Sequence, residues 1–130
     1  MRRQSLKRAA LNRKWGPIRK EFAQSYRNCN CCGGHGQLHC HEITRGFSRD
    51  AAISKRCSWL AVCSYCNCEK LTDAALWPLP RQLALKWLYD REHFDLDCIC
   101  ELRGAVPGCV TMTDVIPWVC RLIDKEGRWV

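Results

Sequence analysis

The sequence predicts a small α+β fold in which a compact module between residues 29 and 76 is flanked by helices. Three observations support this fold class: two Cys-x-x-Cys pairs bracket the module, short apolar runs lie between them, and apolar residues recur every three to four positions on both sides. A chain of 130 residues suits one such domain with extensions. We therefore divide it into a basic, partly helical N-terminal arm (1–28), the module (29–76) and a helical C-terminal extension (77–130).

The positive charge of the chain is concentrated in the N-terminal arm. Residues 1–20 hold eight of the 21 Lys and Arg residues and no acidic residue, so the rest of the chain is close to neutral. Clustered cations gain affinity for phosphates by releasing condensed counterions, which predicts nucleic acid as the partner. The alternative is a solubilising tail without a partner. The predicted phosphate contacts are Arg2, Arg3, Lys7, Arg8, Arg13, Lys14, Arg19 and Lys20.

Twelve cysteines are far more than a domain of this length normally carries. The basic N-terminal residues are not followed by the apolar stretch of a secretory signal, and no window approaches the roughly 18 apolar residues of a membrane helix. We therefore expect a cytoplasmic protein without a membrane partner. In that compartment paired cysteines favour zinc over disulfides.

Two Cys-x-x-Cys knuckles supply the four ligands that a structural Zn²⁺ prefers. The predicted ligands are Cys29, Cys32, Cys63 and Cys66. A glycine follows Cys32, which lets backbone amides turn toward the sulfurs. Cys31 is an alternative ligand because the turn holds three cysteines in four residues. Most other cysteines are expected to be core thiols, with a second site that joins Cys98 and Cys100 to Cys109 or Cys120 as the alternative.

The apolar pattern predicts two short strands and several helices. The first helix, whose apolar stripe contains Trp15, Ile18 and Phe22, is expected to be interrupted at Gly16-Pro17. The other predicted elements are a strand at Gln37–Ile43, a helical turn near residues 51–53, a strand-like run at Trp59–Val62, and helices at Asn67–Leu76, Arg81–Asp90 and Thr113–Lys125, the last with Thr113 as N-cap.

The residues inside and after the knuckles resemble one nuclease family. Leu38-His39-Cys40-His41-Glu42-Ile43 lies between the knuckles, and Cys63-x-x-Cys66-Asn67-x-x-Lys70 follows. This ordered set resembles the HNH endonucleases, and most of all their zinc-stapled phage-type members, which include phage junction-resolving endonucleases. The resemblance implies a ββα-metal, treble-clef-like core, a structural zinc, a catalytic Mg²⁺ or Mn²⁺, DNA as the nucleic acid, and a bacterial or phage-infected cell.

The resemblance also implies roles for individual residues. His41 is the general base that deprotonates the attacking water, since neutral imidazole suits proton abstraction near neutral pH. Asn67 is a ligand of the catalytic metal, and Arg45 binds the phosphate as a fork.

The residue before the predicted base departs from the family pattern. The related resolvases carry an Asp there that ligates the metal, whereas this chain has Cys40, and a thiol is a poor ligand for Mg²⁺. Either the metal is softer, or His39 or Glu42 supplies the missing ligand, or the site binds nucleic acid without cutting it. The competing function is therefore a non-catalytic zinc-ribbon or treble-clef module that binds nucleic acid or a protein partner.

Overall fold

The computed structural model describes residues 6–44 and 49–127 as a mixture of helices around one small sheet. No helix in those two ranges is long and apolar enough to cross a membrane. The predicted turn residues Arg45 and Gly46 and the predicted phosphate contacts Arg2 and Arg3 lie outside the described residues. The elements are α1 (Leu6–Gln24), β1 (Leu38–Glu42), α2 (Arg49–Ala52), β2 (Trp59–Cys63), α3 (Leu79–Tyr89), α4 (Leu96–Leu102) and α5 (Met112–Asp124).

The two strands form an antiparallel sheet whose faces have different partners. His41 pairs with Leu60 and Glu42 pairs with Trp59. Because side chains alternate along a strand, His39 and His41 share one face, and Leu38, Cys40 and Glu42 share the other. Helix α1 covers the Glu42 face, and α3 reaches the His41 face. The predicted strands and the helical turn before β2 are confirmed, with ends that differ by a residue or two.

Helix α1 is continuous through Gly16 and Pro17, so the predicted interruption is wrong. A proline inside a helix removes one backbone hydrogen bond. Packing on both sides of Pro17 offsets this loss, because Trp15, Ile18 and Phe22 all contact the hydrophobic core. The Phe22 ring meets the Trp59 ring edge-on, with centroids 5.4 Å apart. The helix therefore lies on the sheet along its apolar stripe.

The predicted helix over Asn67–Leu76 is also wrong, because the chain forms only a π-helical turn over Cys66–Lys70. Side chains beyond this turn bond the backbone locally and compete with a helix. The Thr72 hydroxyl donates to the carbonyls of Cys68 and Glu69, and the Asp73 carboxylate accepts from the amides of Ala75 and Leu76. The chain is thereby turned toward Trp77 and the start of α3.

Helix α3 is the central helix of the C-terminal half, and residues 82–86 are all buried. It is covered by the sheet on one side and by α5 on another. It begins two residues before the predicted start, with a proline in its first turn, where the missing N–H has no helical partner to lose. Helix α5 is capped by Thr111 and not by Thr113, because Thr111 forms a capping box with Asp114.

The sequence predicted that most cysteines outside the knuckles are core thiols, and this prediction is wrong. Cys57 and Cys98 form a disulfide between residues 41 positions apart. Cys100 lies on the other side of α4, about 200° around the helix from Cys98, and its sulfur is 2.8 Å from that of Cys109. Cys98 and Cys100 therefore do not converge on one metal. Three further cysteines are exposed, namely Cys68, Cys109 and Cys120.

A buried lysine joins α3 to β2 and is paired with an acidic residue at the end of its own helix. The Lys86 side chain is fully buried, and its Nζ donates to the Asp90 carboxylate at 2.6 Å and to the Trp59 carbonyl at 2.7 Å. The same ammonium lies 5.0 Å from the centre of the Phe22 ring. Burial lowers the pKa of Lys86, and Asp90 opposes that shift. The Asp90 carboxylate therefore compensates a charge that is out of contact with water.

We expect Asp90→Ala to lower the free energy of unfolding by about 3 kcal/mol, because it leaves the Lys86 ammonium buried without its counter-charge. Urea denaturation followed by circular dichroism measures this loss. The pKa of Lys86 in the folded variant is lower than in the folded wild type, because Asp90 no longer opposes the effect of burial. As the pH rises toward the unfolded pKa of about 10.4, the unfolded state binds more protons than the folded state, and this gain in stability begins at a lower pH in the variant. The difference in stability between variant and wild type should therefore narrow in that pH range.

Glu101→Ala is the matched control, since Glu101 is an exposed carboxylate on α4. Its effect should stay within about 0.5 kcal/mol. Equal losses for the two variants would show that the buried pair has no special role.

Candidate metal centre and histidine site

The four predicted zinc ligands come together in space. The sulfurs of Cys29, Cys32, Cys63 and Cys66 all lie within 4.8 Å of one another, and those of Cys32 and Cys63 are 3.8 Å apart. A tetrahedral zinc with Zn–S bonds of about 2.3 Å needs sulfur–sulfur separations of about 3.8 Å. The group can therefore hold a metal ion such as zinc. Cys31, the alternative ligand, is buried but does not belong to this group.

Backbone amides surround these sulfurs, as thiolate ligands require. The Cys29 sulfur accepts from the amides of Cys32 and Cys63 at 3.4 and 3.3 Å, and the Cys32 sulfur accepts from Gly34 at 3.4 Å. Gly33 adopts a φ of 76°, which turns the next amide toward the sulfur. Burial raises the pKa of Cys32, but the Gly34 amide and the neighbouring thiols outweigh it and lower that pKa to about 7.

Asn30 fastens the first knuckle to β2, a role that sequence reasoning missed. The backbone N–H of Asn30 donates to the Ala61 carbonyl at 2.8 Å, and the side-chain oxygen of Asn30 accepts from the backbone N–H of Ala61 at 2.9 Å. These bonds continue the sheet into the knuckle. The feature that indicates this role is the burial of a polar residue, at 1% exposure, between two buried cysteines. The sequence alone does not show that burial.

The second knuckle brings Asn67 against the predicted base. The Nδ1 atom of His41 lies 3.1 Å from Oδ1 of Asn67, although the two residues are 26 positions apart. Because Cys66 belongs to the four-sulfur group, the position of this group fixes the start of the turn that carries Asn67. The structure therefore brings the predicted base and the predicted metal ligand into contact.

The other ring nitrogen of His41 contacts a residue from α3. Its Nε2 lies 3.0 Å from Oε1 of Gln82. Sequence reasoning assigned no site role to Gln82, and the feature that could have indicated one is a polar residue within the apolar face of α3. Both His41 and Gln82 are buried, at 2% and 7% exposure.

The other predicted site residues that the structure describes around the strand, Cys40, Glu42 and His39, do not converge on His41. Cys40 and Glu42 lie on the opposite face of β1, where Glu42 pairs with Arg19 at 2.8 Å. Burial raises the pKa of Cys40 to about 12, so its thiol is protonated at neutral pH. His39 shares the His41 face, and its Nε2 lies 3.0 Å from the Ser64 hydroxyl. The predicted metal ligand Cys40 therefore lies apart from Asn67, because strand alternation separates neighbouring residues.

His41 and Gln82 line a cavity of about 380 Å³. Arg103, at the end of α4, lines the same cavity and is the one cation among the described residues around it. Thr72 is a further polar residue in its wall, and most of the remaining wall is apolar. None of the described lining residues carries a carboxylate, so the hard oxygen ligands that Mg²⁺ prefers are scarce there.

The predicted phosphate contacts on α1 divide into two groups. Arg19 is held by Glu42 and by the Cys40 carbonyl, and Lys7 and Arg8 approach Asp50 at 3.9 and 3.4 Å. Arg13, Lys14 and Lys20 are exposed on α1, with Arg13 and Lys20 about two turns apart on the side away from the sheet and Lys14 on the flank of the helix. These three residues, which we call the basic face, are the predicted contacts in the described helix that point to solvent without a recorded ion pair.

Comparisons of the chain with protein-family models, with curated proteins and with solved structures find no match. The chain's own residues and their geometry therefore carry its functional interpretation.

We expect the purified protein to contain about one zinc per chain, and Cys63→Ser to lose both the metal and the folded structure. A structural zinc contributes free energy of the order of 10 kcal/mol, which is comparable to the total stability of a domain. Elemental analysis and thermal unfolding measure the two effects.

Cys68→Ser is the matched control, because Cys68 is an exposed thiol two residues beyond Cys66 and outside the four-sulfur group. It should keep the zinc and the unfolding temperature. A protein that keeps its fold after chelation of all its metal would contradict the assignment of a structural zinc.

Proposed function

We propose that this protein is a metal-dependent endonuclease of the HNH type that hydrolyses phosphodiester bonds in nucleic acid, and in DNA above all. The observation that carries the proposal is the 3.1 Å contact between His41 and Asn67. A nuclease of this type needs both side chains at one site, whereas a binding module needs neither. The strand, the knuckle and the helical turn that hold them follow the order that the resemblance implies.

In this proposal His41 is the general base. An imidazole accepts a proton from water near neutral pH, and His41 lines the cavity in which the attacking water would bind. Arg103 is the candidate phosphate contact in that cavity, because a guanidinium offers two parallel donors to phosphate oxygens. His39, on the same strand face, is the next candidate for the base.

The chemistry of the cavity limits how a catalytic Mg²⁺ or Mn²⁺ would be held. Such an ion neutralises charge that develops on the phosphate and on the leaving oxygen. Asn67, which contacts His41 but is not among the described residues that line the cavity, offers it one amide oxygen, and none of those lining residues carries a carboxylate. The remaining ligands would have to come from substrate phosphate oxygens and water. Metal occupancy should therefore depend on bound nucleic acid.

The basic face of α1 supports nucleic acid as the substrate. Arg13, Lys14 and Lys20 present three positive charges on the exposed part of a helix whose opposite side is fixed to the sheet. Cations on a helix that packs against the sheet would hold phosphates without reading bases, which suits a positioning role.

A non-catalytic zinc module that binds nucleic acid or a protein partner is the second candidate function. The observation that favours it is the orientation of Cys40 and Glu42, which face α1 and contribute nothing to the His41 side of the sheet. A module of this kind would keep the four-sulfur group and the basic face, and His41 would be a buried structural residue.

We expect wild-type protein to nick plasmid DNA with Mg²⁺ or Mn²⁺ and not with EDTA, and His41→Ala to lower the nicking rate by about 10²–10⁴-fold, the usual contribution of a general base. Asn67→Ala should be impaired through metal occupancy, so a higher metal concentration should rescue it in part and should not rescue His41→Ala.

His35→Ala is the matched control, since His35 is an exposed histidine in the glycine-rich turn. It should nick at the wild-type rate, and all three variants should retain zinc. A wild-type protein that cuts nothing with any divalent ion would favour the binding module, and full activity in His41→Ala would move the base to His39.

We expect replacement of Arg13, Lys14 and Lys20 by Gln to weaken DNA binding and to flatten its salt dependence. Each lost phosphate contact reduces the slope of log affinity against log salt by about 0.9, so the slope should fall by up to about 2.7. Fluorescence anisotropy over a range of salt concentrations measures the slope.

The control replaces three exposed cations outside α1, namely Lys55, Arg91 and Lys125, by Gln. It removes the same net charge and should leave most of the slope in place. Similar slopes for the two triple variants would mean that net charge, and not the basic face, attracts the DNA.

A further inference from the structure

The side-chain amide of Gln82 has only one possible orientation. Its Nε2 lies 3.2 Å from the Leu71 carbonyl oxygen and 3.0 Å from the Trp77 carbonyl oxygen. Carbonyl oxygens only accept hydrogen bonds, so the amide must turn its NH₂ group toward them. Its Oε1, which only accepts, is then the atom that faces His41 Nε2 at 3.0 Å.

This orientation decides where His41 carries its proton. Only a protonated Nε2 can donate to Gln82 Oε1, and a neutral imidazole has one N–H. We propose that Gln82 is a positioning residue that fixes the Nε2–H tautomer of His41 and leaves the lone pair of Nδ1 directed at Asn67. The catalytic use of that lone pair rests on the proposed nuclease function, whereas the tautomer itself does not.

The Asn67 contact is compatible with this tautomer. A carboxamide exchanges its oxygen and nitrogen by a half-turn, so Asn67 can present Nδ2 as a donor to an unprotonated Nδ1. Its Oδ1 then points away from the ring. In the other tautomer, Nδ1–H would donate to Asn67 Oδ1 and the buried Nε2 would face the Gln82 oxygen as a second acceptor. That arrangement leaves two buried acceptors opposed, which costs free energy.

The device that sets the tautomer is the segment between the second knuckle and α3. Leu71 directly follows the π-helical turn, and Trp77 precedes the first turn of α3. Their carbonyls hold the Gln82 amide from two sides, and both residues are themselves buried. The irregular chain of residues 71–77, where the sequence predicted a regular helix, therefore supplies the two acceptors that the Gln82 amide requires.

Nitrogen-15 NMR of the histidine side chains tests the proposal without any cleavage assay. In alkaline buffer, where histidines are neutral, His41 of the zinc-loaded protein should show a protonated Nε2 and an unprotonated Nδ1. Gln82→Met keeps the side-chain length and removes the acceptor. A buried Nε2–H would then have no partner, so the proton should move to Nδ1, where Asn67 Oδ1 accepts it.

Leu88→Ala is the control for general loosening, because Leu88 is a buried apolar residue of α3 six positions beyond Gln82 and offers no hydrogen-bonding group to His41. It should keep the wild-type tautomer even though it lowers stability. If the nuclease function holds, Gln82→Met should also lower kcat by about 10–100-fold, as loss of an orienting partner does, with little change in KM.

An Nδ1–H tautomer in the wild-type protein would overturn the proposal. This measurement uses the wild-type protein alone, so it does not depend on whether a variant folds. An unchanged Nε2–H tautomer in folded Gln82→Met would overturn it as well. Absence of cleavage by wild-type protein would contradict the nuclease function alone, because the tautomer of His41 is read from the ring nitrogens.

Discussion

The convergence of four sulfurs on one point is the constraint on which the rest of this structure depends. It joins the turn before β1 to the end of β2, and Asn30 reinforces the junction by pairing with Ala61. A two-stranded sheet alone is only marginally stable in water, so the four-sulfur group and the covering helices supply the stability that the two strands lack. Because Cys66 is both a member of the group and the first residue of the π-helical turn, the staple also determines where Asn67 lies.

Buried polar groups give the domain its specific arrangement around that staple. Arg19 is paired with Glu42 on one face of the sheet, Lys86 with Asp90 at its end, and His41 with Gln82 on the other face. Arg19–Glu42 and His41–Gln82 each join residues from different elements, and Lys86 joins α3 to β2 through its bond to the Trp59 carbonyl while Asp90 compensates its charge. A buried polar group without a partner is costly, so each pair disfavours packings that would separate its members. The helices are thereby held in one position relative to the sheet.

The two faces of β1 explain why the candidate site is unusual for a metal-dependent enzyme. His41 faces the cavity, whereas the residues on either side of it, Cys40 and Glu42, face α1. The described residues that line the cavity beside the histidine therefore include the cation Arg103 and no carboxylate. Such a site attracts phosphate more readily than it attracts a bare divalent cation. The substrate would therefore supply most of the ligands of any catalytic metal.

The sequence by itself determined the elements that follow from local pattern and covalent spacing. The two knuckles, both strands and the helix after Trp77 could be read from it, since ligand spacing and hydrophobic periodicity are local properties. It was wrong where distant contacts override local preference: α1 continues through Pro17, residues 71–76 are irregular, and Cys57 pairs with Cys98. Only the tertiary structure decided that Arg19 is an internal partner of Glu42 and that Gln82 orients His41. The physical reason is that a side chain's role depends on what is packed against it, and those partners lie 23 and 41 residues away along the chain.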